Sequence, residues 1–492
     1  MVMLLPVIFP ALLGIVMFCL KKNTDRKVLT ALAGVVLVIN AVLVVLALAN
    51  CNGASIVPFN LTRALPVRFS VDGISILFAA VISIVWVAAG FFSFEYMKHE
   101  KNEKRYYGFY LLVYGVLIAL CFSGNLVTFY LFYEMMTLLS LPLVLHNQSH
   151  EAVMAGLKYL LYSLVGAYLA LFGLYMVYHY APTLDFVPGG VMDASLIAGH
   201  EGLLMTVAFL MILGFGVKAG MFPMHAWLPT AHPVAPAPAS AVLSSIIVKA
   251  GVLGIIRVVF YIFGTEFLRG TWVQTAWMSL ALVTVFMGSM LAYREKVLKK
   301  RLAYSTVSQL SYILFGLSVM NETAATGALL HVTAHAFIKC VLFLVAGAII
   351  YQTGITRADK LRGIGKQMPI TIWCYTIVSL GLIGIPPTGG FISKWFLATG
   401  ALEAGNGAIG VFAWLGPVIL LVSALLTAGY LLPITMQGFF PGNKFDYEHL
   451  ESKEPSPLMW VPILVLCILS VAVGLFPTAL TDFIGTITAA LF

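Results

Sequence analysis

Seven ionisable side chains lie inside apolar stretches of the sequence: Glu134, Lys218, Lys249, His331, His335, Lys339 and Lys394. A charge at the centre of a bilayer costs about 2.5–3.5 kcal/mol on insertion scales, so such residues normally face the protein interior and mark ion paths or proton relays. Their types suit proton transfer. Lysine loses its proton readily when buried, and histidine titrates near neutrality. His331, His335 and Lys339 are spaced i, i+4, i+8, which puts them on one side of a helix. Paired histidines at this spacing can also hold a metal, but no carboxylate or third ligand is near in sequence, and no metal is expected.

Glu134 lies in Leu126-Val-Thr-Phe-Tyr-Leu-Phe-Tyr-Glu134-Met-Met. It is either an isolated buried acid or the ion-pair partner of a lysine on another span, with Lys218 the expected partner. Two unit charges about 4 Å apart at an effective dielectric of about 20 attract by roughly 4 kcal/mol, and by half of that at about 8 Å. A shift of Glu134 over this range is enough to load or release a proton on a desolvated amine. Lys249 is expected to carry protons between Lys218 and the histidine stripe, with Lys394 as the terminal carrier. Lys158 and Arg257 also fall within apolar runs. Lys158 is near enough to its helix end to snorkel, and Arg257 reads as an anchor.

The elements that must position these groups are membrane helices. Of 492 residues, 10% are charged and 61% apolar, against about 25% charged in soluble proteins. Mean hydropathy is +0.98. This composition excludes a soluble enzyme, a disordered chain and a nucleic-acid binder. A spanning helix needs about 20 mostly apolar residues. Fourteen such runs are predicted, near 2–20, 28–49, 72–94, 107–122, 125–145, 153–179, 202–227, 240–262, 272–292, 302–319, 324–351, 370–396, 408–437 and 457–477. Met1–Leu20 lacks a basic start and a cleavage site and reads as the first span.

The net charge of +8 comes from basic residues in short loops. Loops after odd-numbered spans hold Lys21, Lys22, Arg26, Lys27, Lys98, Lys101, Lys104, Arg105, Arg294, Lys296, Lys299, Lys300, Arg301, Arg357, Lys360, Arg362, Lys366, Lys444 and Lys453. Loops after even-numbered spans hold only Arg63, Arg68 and Arg269. This asymmetry predicts that both termini lie outside the cell membrane.

Three spans are expected to be interrupted at membrane depth, two of them marked by both glycine and proline. The seventh reads Gly214-Phe-Gly216-Val-Lys218-Ala-Gly220-Met-Phe-Pro223, and the twelfth Gly384-Ile-Pro386-Pro387-Thr-Gly389-Gly390-Phe-Ile-Ser-Lys394. The eleventh, with Gly327 and a polar centre, is grouped with them as a third interrupted span. A break inside lipid persists only where freed carbonyls meet protein or a water-filled cavity. The breaks at Pro223 and at Pro386 and Pro387 are five spans apart, and an odd repeat length inverts the topology. The expected fold is therefore all-α, with about fourteen transmembrane helices and two inverted five-helix repeats. The expected units are residues 1–106, the first repeat 107–262, the second repeat 272–437 and a last helix within 457–492.

No C-x-x-C, G-x-G-x-x-G or P-loop pattern occurs, and the six cysteines are far apart. No cofactor and no disulfide are expected, and redox chemistry would belong to another chain.

Several motifs carry a resemblance. They are Val217-Lys218-Ala-Gly-Met-Phe-Pro223-Met-His225-Ala-Trp227-Leu-Pro229-Thr-Ala-His232-Pro233, Ala235-Pro-Ala-Pro238-Ala-Ser-Ala, Val248-Lys249-Ala-Gly251, Arg301-Leu-Ala-Tyr-Ser305-Thr-Val-Ser308-Gln309 and Pro386-Pro387-Thr-Gly-Gly390-Phe. Together they resemble the antiporter-like membrane subunits of respiratory complex I, membrane-bound energy-converting hydrogenases and Mrp-type sodium/proton antiporters. The resemblance implies fourteen helices with the seventh and twelfth broken. It also implies a Glu134–Lys218 pair and a hydrated axis through Lys249 and the eleventh-helix histidines to Lys394. Some members have glutamate at the place of Lys394, so this chain resembles the lysine type. In size and lysine pattern it resembles the D-type Mrp subunit and its hydrogenase counterparts, without the lateral helix of the largest complex I subunit.

The expected function is proton translocation in a multisubunit membrane complex, coupled to redox chemistry or to sodium movement by partner subunits. The expected partners are further antiporter-like or small membrane subunits, or a peripheral iron–sulfur or hydrogenase arm, in a bacterial or archaeal cell membrane. Two alternatives stand beside it: a structural scaffold whose buried charges only hold helices together, and a stand-alone solute symporter.

Overall fold

Apolar runs of bilayer length become helices, because only there does every backbone polar group find a partner without water. A computed structural model describes residues 2–21, 24–442, 446 and 451–492. The loop cations Lys22 and Lys444 lie outside the described residues. The main helices are α1 (Leu5–Cys19), α2 (Arg26–Asn50), α3 (Gly73–Tyr96), α4 (Glu103–Cys121), α5 (Leu126–Val144), α6 (His150–Tyr180), α7 (Glu201–Lys218) and α8 (Leu228–Val234). They continue with α9 (Ala237–Phe263), α10 (Trp272–Arg294), α11 (Leu298–Val319), α12 (Glu322–Thr353), α13 (Pro369–Ile383), α14 (Gly389–Ile409), α15 (Phe412–Phe439), α16 (Pro457–Leu475) and α17 (Thr478–Ala489). Among the described residues, twelve helices are long and apolar enough to cross a membrane. This is a mostly helical, multi-pass membrane protein.

The centre is formed by α9, α11 and α12, which are almost wholly buried. In contrast, α1, α2, α6 and α15 turn Leu12, Val45, Leu161 and Leu425 outward. That is the pattern of a bundle whose rim faces lipid and whose middle faces protein.

The helical expectation is amended between α2 and α3. Strands β1 (Ser55–Thr62) and β2 (Leu65–Ser70) form an antiparallel hairpin turning at Arg63 and Ala64. It docks through Val67 and Phe69, both buried, and Asn125 Nδ2 donates to Pro66 O at 2.8 Å. Helix α17 is a further element beyond the fourteen predicted runs.

Two proline-marked spans are interrupted. α7 ends at Lys218, Gly220 takes φ +72°, and the helix resumes at Leu228. The Val217 carbonyl accepts from Gly220 N at 3.1 Å and from Trp227 Nε1 at 2.9 Å. α13 ends at Ile383, Gly384 takes φ +92°, and α14 begins at Gly389. The grouping of the eleventh span with these is corrected. α12 runs unbroken through Gly327, whose missing side chain admits Phe396 and Leu397 of α14. Without proline nothing removes a helical hydrogen bond there.

At Gly390 a Cβ would overlap the Gly381 carbonyl oxygen. Gly390→Ala is therefore expected to prevent α14 from closing on α13. Recovery of assembled protein from membranes should fall several-fold, whereas Gly407→Ala, with open space at its Cβ, should leave it unchanged.

Candidate functional site

Lys218 closes α7 at the first break and is fully buried. Its amine donates to Thr137 Oγ1 at 2.9 Å on α5, and to Tyr159 OH at 3.0 Å and Ser163 Oγ at 2.9 Å on α6. Three acceptors thus meet the three donors of an ammonium. The amine also stands 4.4 Å from the Tyr159 ring centroid, where the ring face attracts a cation. The expected contact with Glu134 is not a direct ion pair, because hydroxyls take all three donors. Glu134 is half-buried on α5, one turn before Thr137, and its Oε1 has no hydrogen-bond partner. The carboxylate still interacts with Lys218 electrostatically.

Lys249 sits between two wide π-helical turns of α9, Leu243–Ile247 and Arg257–Phe263. Such turns are frequent at functional sites, because they leave backbone carbonyls displaced from the regular ladder. The Lys249 amine donates to the Ser245 carbonyl and shares a hydrogen bond of 2.9 Å with His335 Nδ1 on α12. The helices α7 and α9 touch here: a Cβ at Gly251 would meet the Lys218 Cβ at 3.0 Å.

The histidine stripe is real in geometry, but its members have separate partners. His335 pairs with Lys249, and its buried Nε2 is left without a partner. The His331 ring centroid is 5.8 Å away. His331 Nδ1 bonds Ser393 Oγ at 2.8 Å, and its Nε2 bonds Gln309 Oε1 at 3.1 Å. Lys339 turns instead to α11, donating to Ser305 Oγ at 2.7 Å and Leu302 O at 3.3 Å. Ser305 in turn bonds Tyr430 OH at 2.6 Å.

Lys394 explains the second break in physical terms. Its amine donates to Leu382 O at 2.6 Å and Ile383 O at 2.8 Å, the carbonyls freed where α13 stops. It also lies 5.0 Å from the Tyr312 ring, which stacks on His331 at 5.6 Å. The structure thus links Lys249 with His335 and His331 with Ser393 by hydrogen bonds, sets the two histidine rings 5.8 Å apart, and places Lys394 against the Tyr312 ring that stacks on His331. Lys218 lies beside this line and Lys339 branches from it. Pro223, Pro386 and Pro387 shape the breaks and touch none of the amines by hydrogen bond.

Reasoning from charge alone passes over Thr137, Tyr159, Ser163, Gln309, Ser393, Ser305 and Tyr430. A signal exists for two of them: Tyr159 and Ser163 are four apart on one face of α6, a polar stripe inside an apolar run. Lys299, read as a loop cation, is buried and donates to Ala235 O at 2.6 Å. Arg257 is no interface anchor. It forms a two-pronged pair with Asp72, with Nη2 to Oδ1 at 2.9 Å. Lys158 is half-buried, 6.0 Å from the Tyr162 ring.

Residues 123–420 match the family described as NADH:quinone oxidoreductase/Mrp antiporter, TM. The chain belongs to this family of antiporter-like membrane subunits. Residues 61–107 match the family described as NADH-Ubiquinone oxidoreductase (complex I), chain 5 N-terminus. The antiporter-like subunit is 33% identical to the NADH-quinone oxidoreductase subunit N of Desulforudis audaxviator, over 76% of this chain and 75% of that one. It is 27% identical to the D-type Na(+)/H(+) antiporter subunit of Alkalihalophilus pseudofirmus, over 96% and 93% of the two chains. Its fold matches a chain of the Mrp complex from a Dietzia species with a TM-score of 0.85 at 22% identity, covering 99% and 97%.

Proposed function

We propose that this antiporter-like subunit moves protons along the buried line from Glu134 and Lys218 through Lys249, His335 and His331 to Lys394, with Lys339 as a side branch. The observation that carries the reading is the Lys249–His335 hydrogen bond in the wholly buried centre. Two proton-exchanging groups meet there without a counter-charge to trap the proton. The hydroxyls around Lys218, and Ser393 beside Lys394, supply donors and acceptors at the two ends. The chain itself carries no redox chemistry in this reading. Its relatives are an NADH-quinone oxidoreductase subunit and a Na(+)/H(+) antiporter subunit. Coupling therefore comes from a peripheral redox arm or from neighbouring sodium-moving subunits.

The same reading takes α4 and the broken α13–α14 unit as two further crossings, giving fourteen. The span from α4 to α9 and the span from α10 to α15 then form two inverted five-helix units, and each places a lysine at its break. The cation asymmetry sets both termini outside a bacterial or archaeal cell membrane.

The test is proton uptake by the complex reconstituted in vesicles. Lys218→Ala, Glu134→Ala and Lys394→Ala are each expected to lose most of the coupled proton movement while the complex still assembles. Wild-type rates in all three would overturn the path. Failed assembly in all three would favour a scaffold in which these charges only hold helices together.

A further inference from the structure

We propose that the groove between α2, α3 and α16 binds an anionic phospholipid, with its headgroup at the Arg26, Lys27 and Lys98 end. A cavity of about 670 Å³ opens between these helices, walled by side chains such as Ala41, Val45, Ile84, Ala88, Val461 and Val465. Ser83 is the one hydroxyl on that wall. A second cavity of about 780 Å³ shares Phe91 and Leu458 with the first, so the two adjoin along α2 and α3. Its far end holds Arg26, Lys27, Thr30 and Lys98, with Glu95 as the one carboxylate among them.

The dimensions and the charge select the occupant. From Arg26 to Leu48, α2 rises roughly 33 Å at 1.5 Å per residue, about the thickness of the hydrocarbon core. The groove is thus apolar through the depth of the membrane and basic at one end only. A phospholipid has this polarity, with acyl chains along the apolar wall and a phosphate at the cations. A partner helix would need no cation cluster there.

The three cations differ in how they are held. The Lys27 amine is exposed and has no partner among the described residues. Lys98 pairs with Glu95 at 2.6 Å; the Lys98 side chain is 46% exposed, whereas Glu95 is 12% exposed and also accepts from Tyr351 OH. Arg26 is held by Glu103 at 2.7 Å and fixes the rim of the site. None of these residues belongs to the proton line, so this proposal stands or falls apart from it.

The experiment is native mass spectrometry of the intact complex, extracted from bilayers of phosphatidylglycerol and phosphatidylcholine. Retained phosphatidylglycerol is expected to fall about tenfold in Lys27→Gln/Lys98→Gln, since each cation near an anionic surface adds to the attraction. Retained phosphatidylcholine should not change. Ala88→Trp, which fills the groove, is expected to lose both lipids. If that variant does not assemble, Val45→Trp, at a side chain 64% exposed, replaces it. Equal phosphatidylglycerol retention in wild type and the double variant would overturn the proposal. So would a photocrosslinker at Val45 that captures a polypeptide rather than lipid.

Discussion

Lys249→Ala and His335→Ala are each expected to slow proton translocation by about a hundredfold, the usual contribution of a positioned proton-transfer group. The double variant is expected to be no slower than either. The reason is the direction of the shared hydrogen bond. A protonated lysine only donates, so His335 Nδ1 must accept from it, which puts the ring hydrogen on Nε2. Passing the proton from the amine to Nδ1 leaves a neutral lysine and an imidazolium. The imidazolium can then release its Nε2 hydrogen, with the His331 ring centroid 5.8 Å away as the next titratable group. Nε2 is the buried ring atom without a partner, so no hydrogen-bond acceptor holds its hydrogen in place. One proton enters at Nδ1 and one leaves at Nε2, and the ring must flip or reload before the next. Two groups in series on one route give a non-additive double variant, whereas two groups with separate structural roles give additive losses. Proton uptake by reconstituted vesicles, normalised to assembled complex, reads the difference. Additive losses would remove the direct relay from the mechanism.

The legibility of this site in the sequence follows from the physics of each signal. Charge in an apolar run is conspicuous, so Lys218, Lys249, Lys339 and Lys394 stand out without a structure. Proline is equally plain, and the interruptions at Pro223 and at Pro386 and Pro387 fall within a few residues of the observed helix ends. Hydroxyls are not conspicuous, because serine and threonine are ordinary in membrane helices. The cage around Lys218 draws on Thr137, Tyr159 and Ser163, which are 81, 59 and 55 residues away. No local pattern reports such distances. The histidine stripe shows the same limit: its periodicity places three side chains on one side of α12, but α9, α11 and α14 decide which each one meets. Lys299 misleads for a related reason. Position in a loop-proximal cluster says solvent, yet the carbonyls left free at Pro233 and Ala235 draw its amine inward. The β1–β2 hairpin escapes a search for long apolar runs, since its segments are only eight and six residues.

Breaking the Asp72–Arg257 pair is expected to be the largest single loss of stability in the protein. Arg257 is 1% exposed by side chain and Asp72 34%, so the two removals are not equivalent. Asp72→Ala leaves a guanidinium buried, with Ser75 Oγ at 3.1 Å as its remaining hydrogen-bond partner, and a buried charge stripped of its partner costs about 3–5 kcal/mol. It also removes the cap of α3, where Asp72 Oδ1 accepts from Ser75 N at 2.8 Å, a contact worth about 1 kcal/mol. Arg257→Ala leaves a carboxylate that still caps α3 and reaches water, so its cost should be smaller, at about 2–3 kcal/mol. Arg257→Lys should fall between wild type and alanine, because a point charge cannot reproduce the two-pronged contact. Asp72→Asn combined with Arg257→Leu should recover part of the loss, since no unpaired charge remains. Thermal unfolding of the detergent-solubilised complex orders these variants, with Asp72→Ala lowest in Tm. Arg257 follows Lys249 by eight positions on α9, roughly 12 Å along the axis. The pair therefore pins the helix that carries Lys249 to the start of α3. Transport per assembled complex should survive Arg257→Lys, while Arg257→Ala should lose assembled complex first. An Asp72→Ala protein with unchanged Tm would mean that packing of the guanidinium against Phe186 and Tyr261, whose rings stand 5.0 and 4.5 Å from it, holds α9 without the ion pair.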